Sequence, residues 1–322
     1  MTVVVVSTGG TIASKADEGG DAEPELTGED LVAAVPALED VADVRVTQFA
    51  NIASQFFTLE QLVELRDLVR EYDADPGVEG VVVTQGTNTM AESSYFLDLC
   101  YDGSTPVVFT GAMRNASLTS PDGPGNLLAA VMAAADDRAG EMGALVAFND
   151  RLHTAREVRK THTMNIDAFA STEFGPIGTI DEDRVTWRRR PEHPDPTMDP
   201  DPAALSGDVV TVTVTVDMAS RLLAAATESD GLVLATMGAG HVPEHIVPAV
   251  RDVAEAGVPI FATSRVGDGR LLVDRYGYPG SEHLLRELGA YYSDVPPVKT
   301  RVRAIVALAA DRLGDAFARH PL

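Results

Sequence analysis

Two short segments of this chain join an apolar run to a glycine–threonine corner. Val3-Val4-Val5-Val6 leads into Ser7-Thr8-Gly9-Gly10-Thr11-Ile12-Ala13-Ser14, and Val81-Val82-Val83 leads into Thr84-Gln85-Gly86-Thr87-Asn88-Thr89. A buried strand that ends this way sets a hydroxyl at the carboxyl edge of a sheet, where open α/β sheets bind their ligands. Glycine at that edge admits unusual backbone angles and close approach of a ligand to the main chain. An isolated Gly-Thr is an ordinary turn whose hydroxyl bonds its own backbone. Two of them at the ends of two buried strands suggest a site built from Thr11 and Thr87.

A threonine hydroxyl is a poor nucleophile at neutral pH and needs a base or a cation beside it. Lys160, in Glu157-Val158-Arg159-Lys160-Thr161-His162-Thr163, is the candidate activator. A desolvated lysine can lose its proton, whereas arginine stays charged. Asn51-Ile52-Ala53-Ser54-Gln55 brings further polar groups. Ser54 and Gln55 offer donors and an acceptor suited to a carboxylate and an amine. Thr110-Gly111-Ala112-Met113-Arg114 could present backbone groups, Ala112 among them, to a leaving amide.

These segments need elements to position them. Strands are expected at Val3–Val6, Val44–Phe49, Val78–Thr84, Pro106–Thr110 and Ala144–Asn149. Helical patterns alternate with them. Thr58-Leu59-Glu60-Gln61 reads as a capping box, Thr27-Gly28-Glu29-Asp30 as a second before Leu31–Val35, and helices are expected over Asn88–Tyr101 and Asn126–Arg138. Such alternation implies a mainly parallel sheet covered by helices. Glu192–Pro202 holds four prolines in nine residues, Pro194 to Pro202, which excludes regular helix or central strand. The expected organisation is therefore an N-terminal α/β domain over residues 1–190, a Pro/Asp-rich linker over 191–208 and a smaller α/β domain over 209–322. Strands at Val209–Val216, Gly231–Thr236 and Val258–Thr263 are expected in the second domain. Ser14–Gly28, rich in Gly, Asp and Glu, suits either a lid over the site or an acidic surface loop.

Composition narrows the function. The formal charge is −24, from 49 acidic and 25 basic residues, and only Lys15, Lys160 and Lys299 among the latter are lysines. A dense carboxylate surface with scarce lysine fits adaptation to high intracellular salt, where charge repulsion is screened. It offers no basic footprint for nucleic acid and no attraction to anionic membranes. No apolar run approaches the roughly 18–20 residues of a membrane span, and the N-terminus lacks a secretion signal, so a cytoplasmic location is expected. Cys100 is alone and is expected to be a packing residue on a helix. No cofactor is implied. The chain has neither a Gly-x-Gly-x-x-Gly nor a Gly-Lys-Ser/Thr nucleotide loop, and its seven histidines show no metal-ligand spacing apart from His241 and His245, which Pro243 interrupts.

In order and spacing, these segments resemble the L-asparaginase family of two-domain amidohydrolases. The resemblance rests on Thr-Gly-Gly-Thr-Ile, Asn-Ile-x-Ser-Gln, Gly-Thr-x-Thr-Met, Gly-Ala-Met-Arg, Asp122-Gly123-Pro124 with Asn126, and the Lys160 segment. It implies a flavodoxin-like N-terminal domain, a small-molecule amide substrate and a homo-oligomer, a dimer or tetramer, with active sites shared between subunits. It further implies Thr11 as the nucleophile, Thr87 as a second catalytic threonine assisted by Lys160, and Ser54 and Gln55 as binders of a substrate's α-carboxylate and α-amine. Backbone donors at Ala112 or near Thr87 would stabilise the oxyanion.

Three departures from the family pattern stand out. Asn88 occupies the place of an aspartate, which removes a partner for a substrate ammonium and a counter-ion for Lys160. None of the seven tyrosines falls between residues 14 and 28, where the family has a lid tyrosine. Glu25 is a candidate substitute, and Tyr276 or Tyr278 could instead come from a neighbouring subunit. Met237-Gly238-Ala239-Gly240-His241 replaces a glycine/asparagine turn, so His241 is either a substrate-contacting side chain or a cap for the helix starting near Pro243. The alternatives to asparagine hydrolysis are a weakened or repurposed member that binds an amino-acid-like ligand, and the ammonia-generating subunit of an amidotransferase. The latter would carry a further N-terminal domain.

Overall fold

A computed structural model describes residues 1–16, 22–191 and 195–319, and the chain divides into two units, Met1–Thr197 and Met198–Leu322. In the first unit the strands are β1 (Thr2–Ser7), β2 (Ser14–Ala16), β3 (Ala22–Pro24), β4 (Asp43–Gln48), β5 (Gly80–Thr84), β6 (Val107–Thr110), β7 (Leu145–Phe148), β8 (Arg151–Thr154), β9 (Arg159–Lys160), β10 (Phe169–Ala170), β11 (Gly178–Asp181) and β12 (Arg184–Trp187). The helices are α1 (Gly28–Ala33), α2 (Leu59–Asp73), α3 (Met90–Cys100) and α4 (Gly123–Ala134).

Eight of the strands form one sheet in the order β12-β11-β8-β7-β6-β5-β1-β4. From β4 to β7 every pairing is parallel, and the remaining edge is antiparallel. Strands of a parallel sheet are covered on both faces, which explains the unbroken valine run of β1. Val3 and Val5 join the core under α1 and α4, whereas Val4 and Val6 join the core under α2 and α3. The β7–β8 hairpin turns through Asn149 and Asp150, both at positive φ (50° and 57°), the backbone that suits a tight two-residue turn.

The chain leaves β1 toward β4 and leaves β5 toward β6, so the carboxyl ends of β1 and β5 flank the point where strand order reverses. The β5–α3–β6 and β6–α4–β7 crossovers advance in the same direction but over opposite faces. The second therefore has the reverse hand of the other crossovers, an uncommon arrangement. It brings α4 to the face of α1 and sets Gly123 against Ile12, directly after Thr11. A Cβ on Gly123 would lie 2.9 Å from Ile12 Cγ1.

The second unit holds a parallel sheet, β13 (Val209–Thr213), β14 (Gly231–Thr236), β15 (Ile260–Ser264) and β16 (Tyr291–Tyr292), with helices α5 (Arg221–Ala226), α6 (Val247–Glu255), α7 (His283–Glu287), α8 (Pro297–Ala309) and α9 (Leu313–Ala316). The fold is thus a mainly parallel α/β unit and a smaller α/β unit, as the alternating pattern predicts.

Several expected boundaries move. The helix expected over Asn126–Arg138 starts at Gly123, with Pro124 in its first turn, and stops at Ala134; Asp137–Glu141 is a separate 3-10 turn begun by the Asp136 side chain. The strand expected over Val209–Val216 ends at Thr213, and Asp217 has a positive φ of 49°. The lid segment is partly paired, since β2 and β3 form an antiparallel hairpin; residues 17–21 lie outside the described residues. Glu192, His193 and Pro194 of the linker also lie outside them. Asp195 is held in the first unit by the Tyr95 hydroxyl and by Arg156, 3.2 Å away. Cys100 is buried at the end of α3.

Both expected capping boxes form. Thr58 accepts from Gln61 N while Gln61 Oε1 accepts from Thr58 N, and Thr27 is paired in the same way with Asp30. Replacing Thr58 with Ala removes the side-chain acceptor from the start of the fifteen-residue α2. It is expected to lower unfolding free energy by about 1 kcal/mol in urea titration, with activity of the folded protein unchanged.

Candidate active site

The Thr8–Thr11 corner starts from a backbone that only glycine accommodates easily. Gly9 and Gly10 have φ of 101° and 82°, in the left-handed region. A Cβ on Gly10 would lie 2.4 Å from both Cα and N of Gly86, and one on Gly9 would lie 2.5 Å from the Ile52 nitrogen. The first corner therefore packs backbone to backbone against the second corner and the Asn51–Gln55 segment. Hydrogen bonds seal the contact. Thr8 donates from both N (3.1 Å) and Oγ1 (2.8 Å) to the Thr84 carbonyl, Ile52 N donates to Thr8 O, and Thr89 Oγ1 donates to Ser54 O. A Cβ on Gly86 would meet Ser54 Oγ at 2.7 Å.

Thr11 opens a 3-10 turn, Thr11–Ala13, whose carbonyl at Gly10 accepts from Ala13 N and Ser14 Oγ. The Thr11 hydroxyl has no hydrogen-bond partner among the described residues. Thr87 differs. It is buried, and Lys160 Nζ lies 2.8 Å from its Oγ1 and 3.2 Å from Asn88 Oδ1. Lys160 ends β9, which pairs antiparallel with β10, so that Lys160 stands opposite Phe169. Val158 and Phe169 are buried in the core beneath α3, and Phe169 packs on Phe148 with ring centroids 4.7 Å apart. That anchoring delivers a half-buried ammonium to the Thr87 corner. Burial pushes the Lys160 pKa below the ordinary lysine value, and no carboxylate pairs with it among the described residues.

Ser54 is buried, while Gln55 is exposed on the Ser54–Phe56 turn. Ala112 is buried at the end of β6. Its turn is held by Asp122, which accepts from the backbone N of Met113 and Arg114, and by Asn126, whose Nδ2 donates to Gly111 O and whose Oδ1 accepts from Asn149 N. These two residues were legible as a motif, but only their contacts reveal that they shape the Ala112 turn. The structure thus gathers Thr11, Ser54, Thr87 and Asn88 through adjoining backbone, Lys160 through its side chain, and Ala112 through the neighbouring strand end.

His241 belongs to the second unit. Its Nε2 lies 3.1 Å from Glu282 Oε2 and its Nδ1 3.1 Å from the Tyr278 hydroxyl, with the Tyr276 ring edge-on at 5.1 Å between centroids. The reading of His241 as a helix cap is overturned, because neither the Glu244–Ile246 turn nor α6 has a side-chain cap and the imidazole is committed to Glu282 and Tyr278. Glu282, which sequence reasoning missed, is a buried carboxylate. Burial opposes its charge, but the N–H groups of Tyr276 and Arg275 and the His241 ring outweigh that cost and hold its pKa below the usual range. No cluster of metal-ligating side chains is present among the described residues, and no described helix is long and apolar enough to cross a membrane.

The Gly10–Gly86 contact leaves no room for a methyl group. Gly10→Ala is expected to unfold at markedly lower temperature and to lose activity more than tenfold. A variant with unchanged Tm and activity would show that the two corners can separate freely.

The chain is similar to known proteins over most of its length. Residues 2–193 match the family described as Asparaginase, N-terminal, and residues 208–319 the Glutaminase/Asparaginase C-terminal domain. The chain is 33% identical over 293 residues to L-asparaginase 2 of Escherichia coli K12, covering 87% of this chain and 84% of the relative. It is 32% identical over 324 residues to L-asparaginase of Bacillus licheniformis, covering 97% of each. It is also 32% identical over 316 residues to a glutaminase-asparaginase of Pseudomonas aeruginosa, covering 95% of this chain and 86% of the relative. Among solved structures, a probable cytoplasmic L-asparaginase from Campylobacter jejuni superposes with a TM-score of 0.83 at 32% identity, over 95% of this chain and 94% of the other.

Proposed function

This chain belongs to the L-asparaginase family and is an amidohydrolase of asparaginase type; on that premise we propose that it hydrolyses the side-chain amide of asparagine or a close analogue through a threonine ester. Glutamine is the second substrate to test, given the glutaminase-asparaginase relatives. The observation that carries the reading is the Lys160 amine 2.8 Å from Thr87 Oγ1, beside the glycine contact that seats Thr11. Thr11 Oγ1 attacks the amide carbon, the C–N bond breaks, and the hydroxyl proton reaches the departing nitrogen through Thr87 and Lys160 as ammonia leaves. Water then attacks the ester, the C–O bond to Thr11 breaks, and the hydroxyl regains its proton. Ser54 and Gln55 hold the far end of the substrate. Backbone amides of the Thr87 and Ala112 turns face the oxyanion. The reading gives His241 no step.

One observation favours a second assignment. The base sits on Thr87, not on Thr11, whose hydroxyl lacks a described partner. In that version Thr87 carries the ester and Thr11 orients the substrate. Peptide mapping of a trapped acyl-enzyme by mass spectrometry separates the two, since the added mass falls on the peptide of Thr11 or on that of Thr87.

Ammonia release from asparagine, glutamine and the D-isomers, measured at low and at molar salt, tests the activity itself. Thr11→Ala and Lys160→Met are each expected to lower kcat by about 1,000-fold or more. A Thr11→Ala variant at wild-type rate would remove Thr11 from the chemistry.

The Lys160 environment also sets a pH dependence. Its neutral form is the base, so kcat/KM rises with pH as the amine loses its proton, and burial places that rise below the ordinary lysine range. Asn88→Asp puts a carboxylate beside the ammonium, which stabilises the protonated form. The rising limb is expected to move up by about one pH unit. A limb that stays in place would mean that Lys160 is not the titrating base.

A further inference from the structure

Lys160 ends β9, a strand of two residues, and residues 161–165 beyond it are exposed. Packing contributes little to the return toward β10, so hydrogen bonds must shape it. Thr161 N donates to Ala168 O at 2.7 Å, and Asn165 Oδ1 accepts from Asp167 N. Asp167 anchors the returning arm to the β7–β8 turn, where its Oδ1 accepts from Asn149 Nδ2 at 3.1 Å and from Arg151 Nη1 at 2.7 Å. The outgoing arm, which carries Lys160, is tied to this anchored arm by an imidazole. His162 Nδ1 accepts from the backbone N–H of Met164 at 3.0 Å and from that of Asn165 at 2.8 Å.

From this geometry we infer that His162 is a positioning residue for Lys160, and that it holds the lysine in place only while its imidazole is neutral. The inference rests on the amide-hydrolase reading above. A ring nitrogen accepts only through its lone pair, so both bonds require Nδ1 without a proton and Nε2 with one. Protonation sets an Nδ1–H against two backbone N–H groups. Donor then faces donor, and the turn loses both of its closing bonds. The Lys160 arm keeps its link from Thr161 to Ala168 but loses its tie to Asn165 and the anchored Asp167. A displacement of about 1 Å can cost about 100-fold in rate, and Lys160 serves as a base only from hydrogen-bond distance of Thr87, now 2.8 Å. The charged groups on the surrounding elements are Arg159 and Lys160 of β9, Asp167 of the loop, and Asp150 and Arg151 at the β7–β8 turn; β10 has none. Among the described residues the imidazole forms an ion pair with none of them, so its titration acts through the turn.

Ammonia release from asparagine and from glutamine by the full chain, by His162→Ala and by His162→Asn tests this. An asparagine side chain accepts from the same nearby backbone N–H groups as the ring does, but it does not titrate. At about pH 8, His162→Ala is expected to lower kcat by about tenfold with little change in KM, and His162→Asn to restore most of that loss. From about pH 8 to about pH 5.5, across the imidazole range, the kcat ratio of wild type to His162→Asn is expected to fall about tenfold. Lys160 titration cancels in this ratio, because both proteins carry the lysine. In proton–nitrogen NMR spectra the Met164 and Asn165 amides are expected to shift with a midpoint in the imidazole range in the wild type, and to hold still in His162→Asn. A His162→Ala variant with wild-type kcat, a ratio that does not change with pH, or amides that do not titrate overturns the inference while the hydrolase reading stands. Absence of ammonia from both substrates with all three proteins overturns the hydrolase reading and this inference with it.

Discussion

The site depends on one contact, the approach of the Gly10 backbone to that of Gly86. A methyl group at Gly10 would sit 2.4 Å from Gly86, far inside van der Waals range, so the two corners touch with nothing between them. The Thr8 bonds to Thr84 carry the β1–β5 ladder one residue past the strand end and bring the corners to that separation. Thr11 and Thr87 follow the two glycines directly. The positions of both hydroxyls are therefore set by main-chain geometry, which has fewer ways to relax than a pair of side chains would.

Beside this rigid pair, Lys160 is a site group whose charge state burial tunes. Its strand is too short to be stable alone. It is fixed by pairing with β10 and by Val158 and Phe169 in the core beneath α3. Desolvation then works against the ammonium, and the neutral partners Thr87 and Asn88 do not restore it. The rest of the chain pulls the other way, since a net charge of −24 favours a cation anywhere on the molecule. That long-range attraction is screened by salt, whereas burial is not. A salt-rich medium therefore leaves the local environment in control of the lysine.

The reversed crossover through α4 serves the same corner. By placing α4 on the face of α1, it sets the helix start against Ile12 and lets Asp122 and Asn126 tie down the Gly111–Arg114 turn. A helix on the opposite face would leave that turn and the Thr11 turn without a common support. In the second unit, a buried Glu282 organises His241, Tyr276 and Tyr278 into a connected polar array.

Much of this was legible in the residues alone. Valine runs buried on both faces announce parallel strands because only such strands lack a polar side. The Thr58 and Thr27 capping boxes announce helix starts because their bonds are local in the chain. The spaced motifs identified Thr11, Thr87, Lys160 and Ser54 as site candidates, and the parallel pairing of β1 with β5 carries the two threonine corners to one edge of the sheet. What the sequence could not supply were relations between segments far apart in the chain. The start of α4 at Gly123, the reversed hand of its crossover and the commitment of His241 to Glu282 all depend on packing against distant residues. The same holds for the Gly-Thr corners that begin the chain's chemistry. Sequence placed a hydroxyl after each valine strand, and the family resemblance set Lys160 beside Thr87, but only tertiary structure decided that Asn88 would turn its oxygen to the lysine, because that depends on which segments distant in the chain come into contact.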